Sequence, residues 1–412
     1  MFVFNKQLMS SFFLISFIVF GPVFVLSGVR IDFRIFIVLT VLMVFILHSM
    51  NKGNYKFNCK GIISIIFIQL FIIFIYTLFI YLNLNDTYML NLSLRLIVFF
   101  ILTLFIVEIY LKKDYINKYF FNILFYATAL NSIVVLLMAK VDFIRLFIQK
   151  FQLQIKLLEV SGNIRMMALN GMAGSTLSFL IFIGGIAYFY MESKNKKIDL
   201  FLFMLILWSL LYAGRTGLIF FIVFLGIKLL FHLINKYGLF ISTIIFSITI
   251  PMVLLASSIF NDNLYLFSRE TINTFRFLSS MYISESGLPI TMENLLYHSF
   301  FLPENNIWFG SIGFNDYDGG PYHSDIGYIK MIFSIGIIGQ ILFSILYITL
   351  ALISYYHLKY EKSFSYTIII IIFLFLFHLK GLALGSTLFT FIIFLSFFSA
   401  LYKQKQNKLK EK

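Results

Sequence analysis

One apolar stretch decides the class of this fold. From Gly61 to Leu82 the chain reads GIISIIFIQLFIIFIYTLFIYL and carries no charged residue. A helix crosses the hydrocarbon core of a bilayer with about 20 apolar residues, so this stretch is long enough to do so. Across all 412 residues, 60% are hydrophobic and only 12% are charged. That composition excludes a soluble domain and predicts a polytopic integral membrane protein.

Comparable runs recur along the chain and predict an all-α fold with about twelve transmembrane helices. Residues 1–258 hold the first nine spans, 259–325 form one large external loop, and 326–412 hold the last three spans and a basic cytoplasmic tail. The first run has no clear cleavage site behind it, so we interpret it as a retained signal anchor. The predicted spans are 10–28, 34–50, 61–82, 88–111, 119–138, 168–191, 199–214, 216–235, 238–258, 326–356, 365–379 and 382–402.

The basic residues predict the orientation of these spans. Most lysines fall in segments that lie inside if the N-terminus is inside, and this positive-inside pattern places both termini in the cytoplasm. The net charge of +14 is therefore mainly a topology signal and does not indicate nucleic acid. Arginines instead lie in outer segments or within a span. Their planar guanidinium groups can pair with a phosphate through two hydrogen bonds, which suits a phosphate-bearing ligand. They are Arg30, Arg34, Arg95, Arg145, Arg165, Arg215, Arg269 and Arg276.

The loop at 259–325 is where the sequence concentrates its titratable groups. It holds eight of the chain's 18 acidic residues, together with Arg269, Arg276, His298 and His323. Arg269 and Arg276 are spaced to lie two turns apart on a short helix, where they are either solvated or aimed together at one anion. Concentrating these groups outside the bilayer predicts a site that acts at the membrane surface.

An external amphipathic segment is predicted at 140–160. Its apolar residues recur at helical spacing, with polar residues on the opposite face. The helix either rests on the outer leaflet or forms one wall of a lipid-headgroup site, with Arg165 at its exit. The apolar face consists of Ile144, Phe147, Phe151, Ile155 and Leu158.

The large loop ends in a segment that suits an anion and a proton transfer. It runs from Asp318 through a Gly-Gly-Pro turn to His323, Asp325 and Lys330, directly into the tenth span. Asp325 has the chemistry of a helix cap, which does not account for His323 beside it or for Lys330. A helix N-terminus with nearby cations favours an anion. Gly336 and Gly339, deeper in this span, are interpreted as a helix-packing face.

Two arginines inside or beside spans allow more than one interpretation. Arg215 stands in a tight Gly214-Arg215-Thr216-Gly217 turn between two spans, where it either snorkels to the interface or contacts a ligand. Arg95 lies about two turns into its span and either snorkels outwards or forms an internal ion pair. The remaining histidines at 48, 232, 357 and 378 are predicted to lie near span ends without a chemical role.

Locally, these motifs resemble those of the Wzy-type polysaccharide polymerases, which build O-antigen and capsule chains. The resemblance rests on Ala213-Gly-Arg-Thr-Gly217, on His323-Ser-Asp-Ile-Gly-Tyr-Ile329, and on Gly336-Ile-Ile-Gly339. It also covers the architecture of many spans with one large late loop. In the related O-antigen ligases, a histidine and a small polar residue are followed by nine residues and then by the glycines. Here eleven residues separate Ser324, the small polar residue, from Gly336.

The resemblance implies a metal-independent membrane glycosyltransferase that needs no cofactor. Its substrate would be an oligosaccharide linked to polyprenyl pyrophosphate in the bacterial plasma (inner) membrane, with membrane lipid, a chain-length regulator and a flippase as partners. His323 would be the base and Asp325 would orient or replace it. Arg165, Arg215, Arg276 and Lys330 would contact the pyrophosphate. The sequence has no P-loop, dinucleotide fingerprint or G-x-S-x-G, which agrees with energy drawn from an activated carrier.

Two other functions fit the same gross architecture. A flippase for lipid-linked oligosaccharides also has about twelve spans, but it is expected to place its charges inside the bundle and to have short outer loops. An O-antigen ligase would transfer the finished glycan to a lipid core instead of lengthening a carrier-linked chain.

Overall fold

A computed structural model of the chain describes most of the predicted helical core. The segments it describes are 6–21, 23–26, 29–32, 40–41, 43, 60–111, 115–141, 143–144, 147–148, 174–192, 195–237, 302–303, 306–313, 326–358, 362–379 and 381–410. Predicted spans 34–50 and 238–258 lie outside these residues, apart from three positions of the former. Most of the predicted loop at 259–325 also lies outside them.

Regular structure in the described residues is almost entirely helical. A short 3-10 turn, Ala187–Phe189, follows the fifth helix. The helices are α1 Lys6–Phe20, α2 Lys60–Leu84, α3 Thr87–Leu111, α4 Tyr115–Lys140, α5 Gly174–Ile186, α6 Lys196–Ala213, α7 Arg215–Tyr237, α8 Gly327–Leu358, α9 Lys362–His378 and α10 Thr387–Lys410.

Several of these helices are long and apolar enough to cross a membrane, so the chain has the character of a membrane protein. They correspond to the predicted spans 61–82, 88–111, 119–138 and 326–356. Shorter apolar helices occupy Gly174–Phe189, Thr216–His232, Phe364–His378 and Thr387–Tyr402. The four longer candidates are Gly61–Leu84, Thr87–Val107, Tyr119–Lys140 and Gly327–Leu358.

The C-terminal part of the first predicted span is not helical. Helix α1 ends at Phe20, and strands β1 (Val23–Leu26) and β2 (Val29–Asp32) form an antiparallel hairpin in which Leu26 pairs with Val29. The prediction of one helix over 10–28 is therefore wrong beyond Phe20. The physical reason lies in Gly21-Pro22, because a residue before proline is biased away from the helical conformation. The valines that follow favour a strand.

The last predicted span also begins later than expected. Residues 381–386 form a turn, and α10 starts at Thr387 instead of residue 382. At its other end α10 continues as a helix to Lys410, through the segment predicted to be a basic tail.

Helix α5 forms the centre of the bundle. All but two of its thirteen residues are buried, and it packs against α4, α6 and α7. Ring contacts join it to α9: Phe179 and Phe377 stack with 4.5 Å between their ring centroids, and the tilted rings of Phe182 and Phe373 have 4.8 Å between theirs. By contrast, α2 packs mainly against α3 and α8 and exposes many apolar side chains.

Only parts of the external amphipathic segment at 140–160 are described, and apart from Val141 those parts are helical. Ile144 and Ile148 pack against the core, whereas Phe143 and Phe147 are exposed and lie with their ring centroids 6.3 Å apart. The apolar face predicted for this segment lies mostly outside the described residues and stays a prediction.

Candidate functional site at one end of the bundle

Of the six residues predicted to form the site, two belong to the described part of the chain. Arg215 is the first residue of α7, and Lys330 lies half-buried in the first turn of α8. The other four lie outside the described residues. In sequence, Arg165 lies shortly before α5, and His323 and Asp325 lie shortly before α8. Arg276 belongs to the undescribed part of the large loop.

The predicted break between two spans at Gly214 is confirmed, but Arg215, Thr216 and Gly217 belong to the first turn of α7 and not to a loop. Gly214 alone separates α6 from α7, and a Cβ at Gly214 would lie 2.7 Å from the carbonyl oxygen of Gly174. The N–H of Gly217 donates to Ser178 Oγ at 3.1 Å, and a Cβ at Gly217 would overlap the Ser178 carbonyl group. Only glycine allows α7 to start so close to α5.

A second close approach links this turn to the start of α8. Ser175 Oγ lies 4.0 Å from the Cβ position of Gly381, in the turn after α9. The Cβ position of Gly327, at the start of α8, overlaps the Gly381 carbonyl oxygen and the ring of His378. Elements far apart in sequence therefore meet at one place. We call this place the glycine junction, and it comprises Gly174, Ser175, Gly214, Gly327, His378 and Gly381.

His378 is the fully buried histidine of the junction. Its Nδ1 accepts hydrogen bonds from the N–H groups of Ala383 at 3.0 Å and Leu384 at 3.5 Å. Because Nδ1 is an acceptor, the proton of the neutral ring is on Nε2, which faces Gln340 Oε1 at 3.4 Å. The ring thus fixes the turn between α9 and α10 and ties it to α8.

Polar contacts continue around His378. The Tyr328 ring lies 4.3 Å from the imidazole, centroid to centroid, and its hydroxyl donates to the Phe375 carbonyl at 3.1 Å. Tyr347, also fully buried, donates to the Leu384 carbonyl at 2.5 Å and lies 2.7 Å from Thr390 Oγ1. A polar network of this kind inside an apolar bundle marks a functional-site candidate, since polar groups are expensive there.

Helices α5, α7 and α8 begin at the junction, with Gly174, Arg215 and Gly327 as their first residues, and α6 and α9 end there at Ala213 and His378. Helix N-termini carry partial positive charge and C-termini carry partial negative charge. The N–H groups of the three N-termini are the backbone groups here that suit an anion. Lys140 is near this end as well, because its Nζ lies 5.7 Å from the centre of the Tyr212 ring, close to Gly214.

A break in α8 lies at the same end of the bundle. Gly336 has φ +66°, a conformation that L side chains rarely adopt, and its Cβ position overlaps the Trp308 carbonyl group. Segment 306–313 fills the break. Gly336 is therefore the docking point of a loop, and the interpretation of Gly336 and Gly339 as a helix-packing face is wrong at Gly336, because the atoms nearest to its Cβ position belong to Trp308 and Phe309.

Backbone hydrogen bonds hold segment 306–313 in this break. Ile337 N–H donates to the Ile307 carbonyl at 2.9 Å, and Ser311 N–H donates to the Phe333 carbonyl at 2.8 Å. The Tyr76 hydroxyl of α2 donates to the Ile335 carbonyl at 2.7 Å. Non-helical backbone is tolerated at membrane depth only when its polar groups are satisfied in this way. This part of the predicted external loop is packed against the helices, nine residues past the start of α8.

His378 is the member of the site that sequence reasoning missed. It was predicted to lie at a span end without a chemical role, and it does end α9, but it is buried in a polar network. The available signal was a histidine followed by Gly381 and Gly385 in an otherwise apolar run. Its partners, however, are backbone groups and Gln340, which no local pattern identifies.

Comparisons with protein-family models, with curated proteins and with solved structures find no match to this chain. Within the described ranges, no three metal-ligating side chains cluster. Any functional assignment therefore rests on the geometry of the glycine junction and on the sequence motifs beside it.

Proposed function

We propose that the protein is a polysaccharide polymerase that joins oligosaccharide repeat units carried on polyprenyl pyrophosphate. The acceptor hydroxyl attacks the anomeric carbon of the growing chain, and the carrier pyrophosphate leaves. His323 takes the proton from the acceptor, and Asp325 orients His323 or replaces it. Arg165, Arg215, Arg276 and Lys330 stabilise the charge that develops on the leaving pyrophosphate.

The observation that carries this proposal is that the glycine junction links the starts of α7 and α8 through α5 and Gly381. Arg215 follows Gly214 directly, and the His323–Asp325 motif ends two residues before Gly327. Gly214 contacts the start of α5, whose next residue, Ser175, lies beside Gly381, and Gly381 contacts Gly327. Two motifs separated by more than a hundred residues therefore lead into one place.

The electrostatics of the junction support a diphosphate as the anion. Three helix N-termini, Arg215 and Lys330 lie at or next to it, and the Arg165 segment leads into α5. A leaving pyrophosphate gains negative charge in the transition state, so fixed positive groups lower its energy without reorganising. Bond energy in the lipid carrier drives the reaction, in agreement with a sequence that lacks a nucleotide-binding motif.

Replacing Arg215 by alanine tests the proposal. We expect long glycan chains to disappear while the protein still inserts into the membrane, measured by glycan gel electrophoresis and by protein abundance in the membrane fraction. Lys228→Ala is the matched control, because Lys228 is a cation on the same helix, thirteen residues from Arg215. Chains of normal length in Arg215→Ala would refute the role of Arg215.

The glycans of a deletion strain separate this function from the two alternatives. Single repeat units that accumulate on the outer face indicate a polymerase. Long chains that remain unattached to their final lipid indicate an O-antigen ligase. Repeat units trapped on the cytoplasmic side indicate a flippase.

A further inference from the structure

Helix α3 carries a cation on its exposed face. Arg95 is exposed, and its neighbours Leu94 and Val98 are 42% and 41% exposed. Of the two interpretations of Arg95, its exposure favours a side chain that reaches for the interface over an internal ion pair. Residues one helical turn away from it, at 91, 92, 98 and 99, include no acid. No hydrogen bond or ion pair joins Arg95 to the part of the chain that the structure describes.

The geometry of α3 brings the guanidinium near the helix end. Arg95 lies eight residues after Thr87, which is about 12 Å along a helix. Side chains of a helix point towards its N-terminus, so Arg95 extends over the turn that contains Asn91 and Tyr88. Long cationic side chains in apolar surroundings reach for the interface in this way.

Asn91 and Tyr88 complete a polar stripe on the same face. Both are exposed, and they precede Arg95 by four and seven residues, the spacing of one helix face. The stripe presents the Arg95 guanidinium and the Asn91 amide. The nearby acid, Asp86, is buried and its Oδ1 accepts the N–H of Tyr88 at 2.9 Å, so it serves as a helix cap.

We infer that this stripe binds the phosphate group of a membrane phospholipid in the leaflet at the junction end. A guanidinium with an amide donor beside it matches a phosphate in charge and in hydrogen bonding. Hydrocarbon offers no partner for the Arg95 guanidinium, whereas the headgroups of membrane phospholipids carry phosphate within reach of it. The occupant is therefore a lipid headgroup, held beside helices that expose apolar side chains to its acyl chains.

The stripe is close to the glycine junction but separate from it. Leu92, next to Asn91, is buried, and one of its methyl carbons lies 2.6 Å from the Cβ position of Gly385, in the turn that His378 holds. Lipid binding at Arg95 does not depend on the proposed enzymatic function. Loss of glycan polymerisation with intact lipid retention, or the reverse, separates the two.

Native mass spectrometry of the full chain released from phosphatidylglycerol nanodiscs tests the inference. We expect Arg95→Gln to reduce the occupancy of the most tightly retained lipid at least tenfold. Leu94→Gln, which places the same side chain on the adjacent exposed position, should retain it as the natural protein does. Arg95→Lys keeps the charge but loses the planar guanidinium group, so its lipid occupancy should lie between those of Arg95→Gln and Leu94→Gln.

Two results would overturn the inference. Equal lipid retention in Arg95→Gln and the natural protein would show that the stripe holds no phosphate. Recovery of a polyprenyl phosphate in place of phospholipid, from protein extracted directly from cells, would exclude phospholipid as the occupant. Should Arg95→Gln fail to fold by circular dichroism, the comparison of Arg95→Lys with Leu94→Gln decides the question, and equal retention in that pair overturns it.

Discussion

The two ends of the helix bundle use their polar groups differently. At the end opposite the glycine junction, the Tyr126 hydroxyl donates to Asp199 Oδ1 at 2.6 Å, and Asn122 donates to the Glu192 carbonyl at 3.0 Å. Asn195 caps α6 there. These side chains hold one helix end to another. At the junction end, glycines bring backbones together, and the N-termini of α5, α7 and α8 lie near one another.

This contrast teaches that the two ends serve different purposes. An acid matched by a hydroxyl donor stabilises the fold and leaves little capacity to bind a ligand. Helix N-termini brought together by glycine contacts leave N–H groups that an anion can bind. Substitutions at the opposite end should therefore change stability alone, whereas those at the junction should change stability and activity together.

The largest effect is expected from a methyl group added at the junction. In Gly327→Ala the new Cβ overlaps the Gly381 carbonyl and the His378 ring, so backbone must move. We expect a loss of about 3 kcal/mol or more in the free energy of unfolding, typical of a severe overpacking. Thermal unfolding in detergent, followed by tryptophan fluorescence, measures it.

Gly61→Ala is the control at the opposite end, because no atom lies within 4 Å of the Cβ position of Gly61. It should be neutral or slightly stabilising, since alanine favours the helix over glycine. Equal thermal stability of the two variants would show that the junction tolerates a side chain, and the contrast between the ends would lose its basis.

A smaller effect is expected from His378→Phe. The ring volume is kept, but the N–H groups of Ala383 and Leu384 lose their acceptor, which costs about 2 kcal/mol. The turn between α9 and α10 should loosen, and because Gly381 contacts Gly327, glycan chains should shorten as well. Glycan size and thermal stability are measured on the same preparations.

His232→Phe is the matched control, since His232 is an exposed histidine on α7. His378→Gln keeps a side-chain acceptor and should restore part of both properties. If His378→Phe lost stability and kept chains of normal length, His378 would be a structural residue like those at the opposite end.

Much of the helical architecture followed from the sequence because membrane crossing imposes a minimum apolar length. The uncharged apolar run at 61–82 predicts a membrane-crossing helix, and α2 occupies it. The predicted helix boundaries are wrong where a local sequence feature or contact interrupts the helix within an apolar run. Gly21-Pro22 ended α1 early, and the turn held by His378 delayed the start of α10.

The site was less accessible to sequence reasoning. The turn at Gly214 and the start of α8 carry recognisable glycine motifs, and the structure joins them through Gly174 and Gly381. His378 escaped notice because its partners come from a turn and from another helix. Gly336 was interpreted as a packing glycine because a glycine pair in an apolar run looks the same whether a helix or a loop approaches it.

Tyr126→Phe is expected to have the smallest effect and tests the opposite end directly. It removes the hydroxyl that donates to the buried Asp199 carboxylate, at a cost of about 1.5 kcal/mol. Asp199 is in the first turn of α6, fifteen residues and thus about 22 Å from Gly214. Thermal stability should therefore fall while the distribution of glycan chain lengths stays that of the natural protein. Shortened glycan chains in a Tyr126→Phe variant that still inserts would mean that the two ends are coupled. The conclusion that the opposite end affects stability alone would then be wrong.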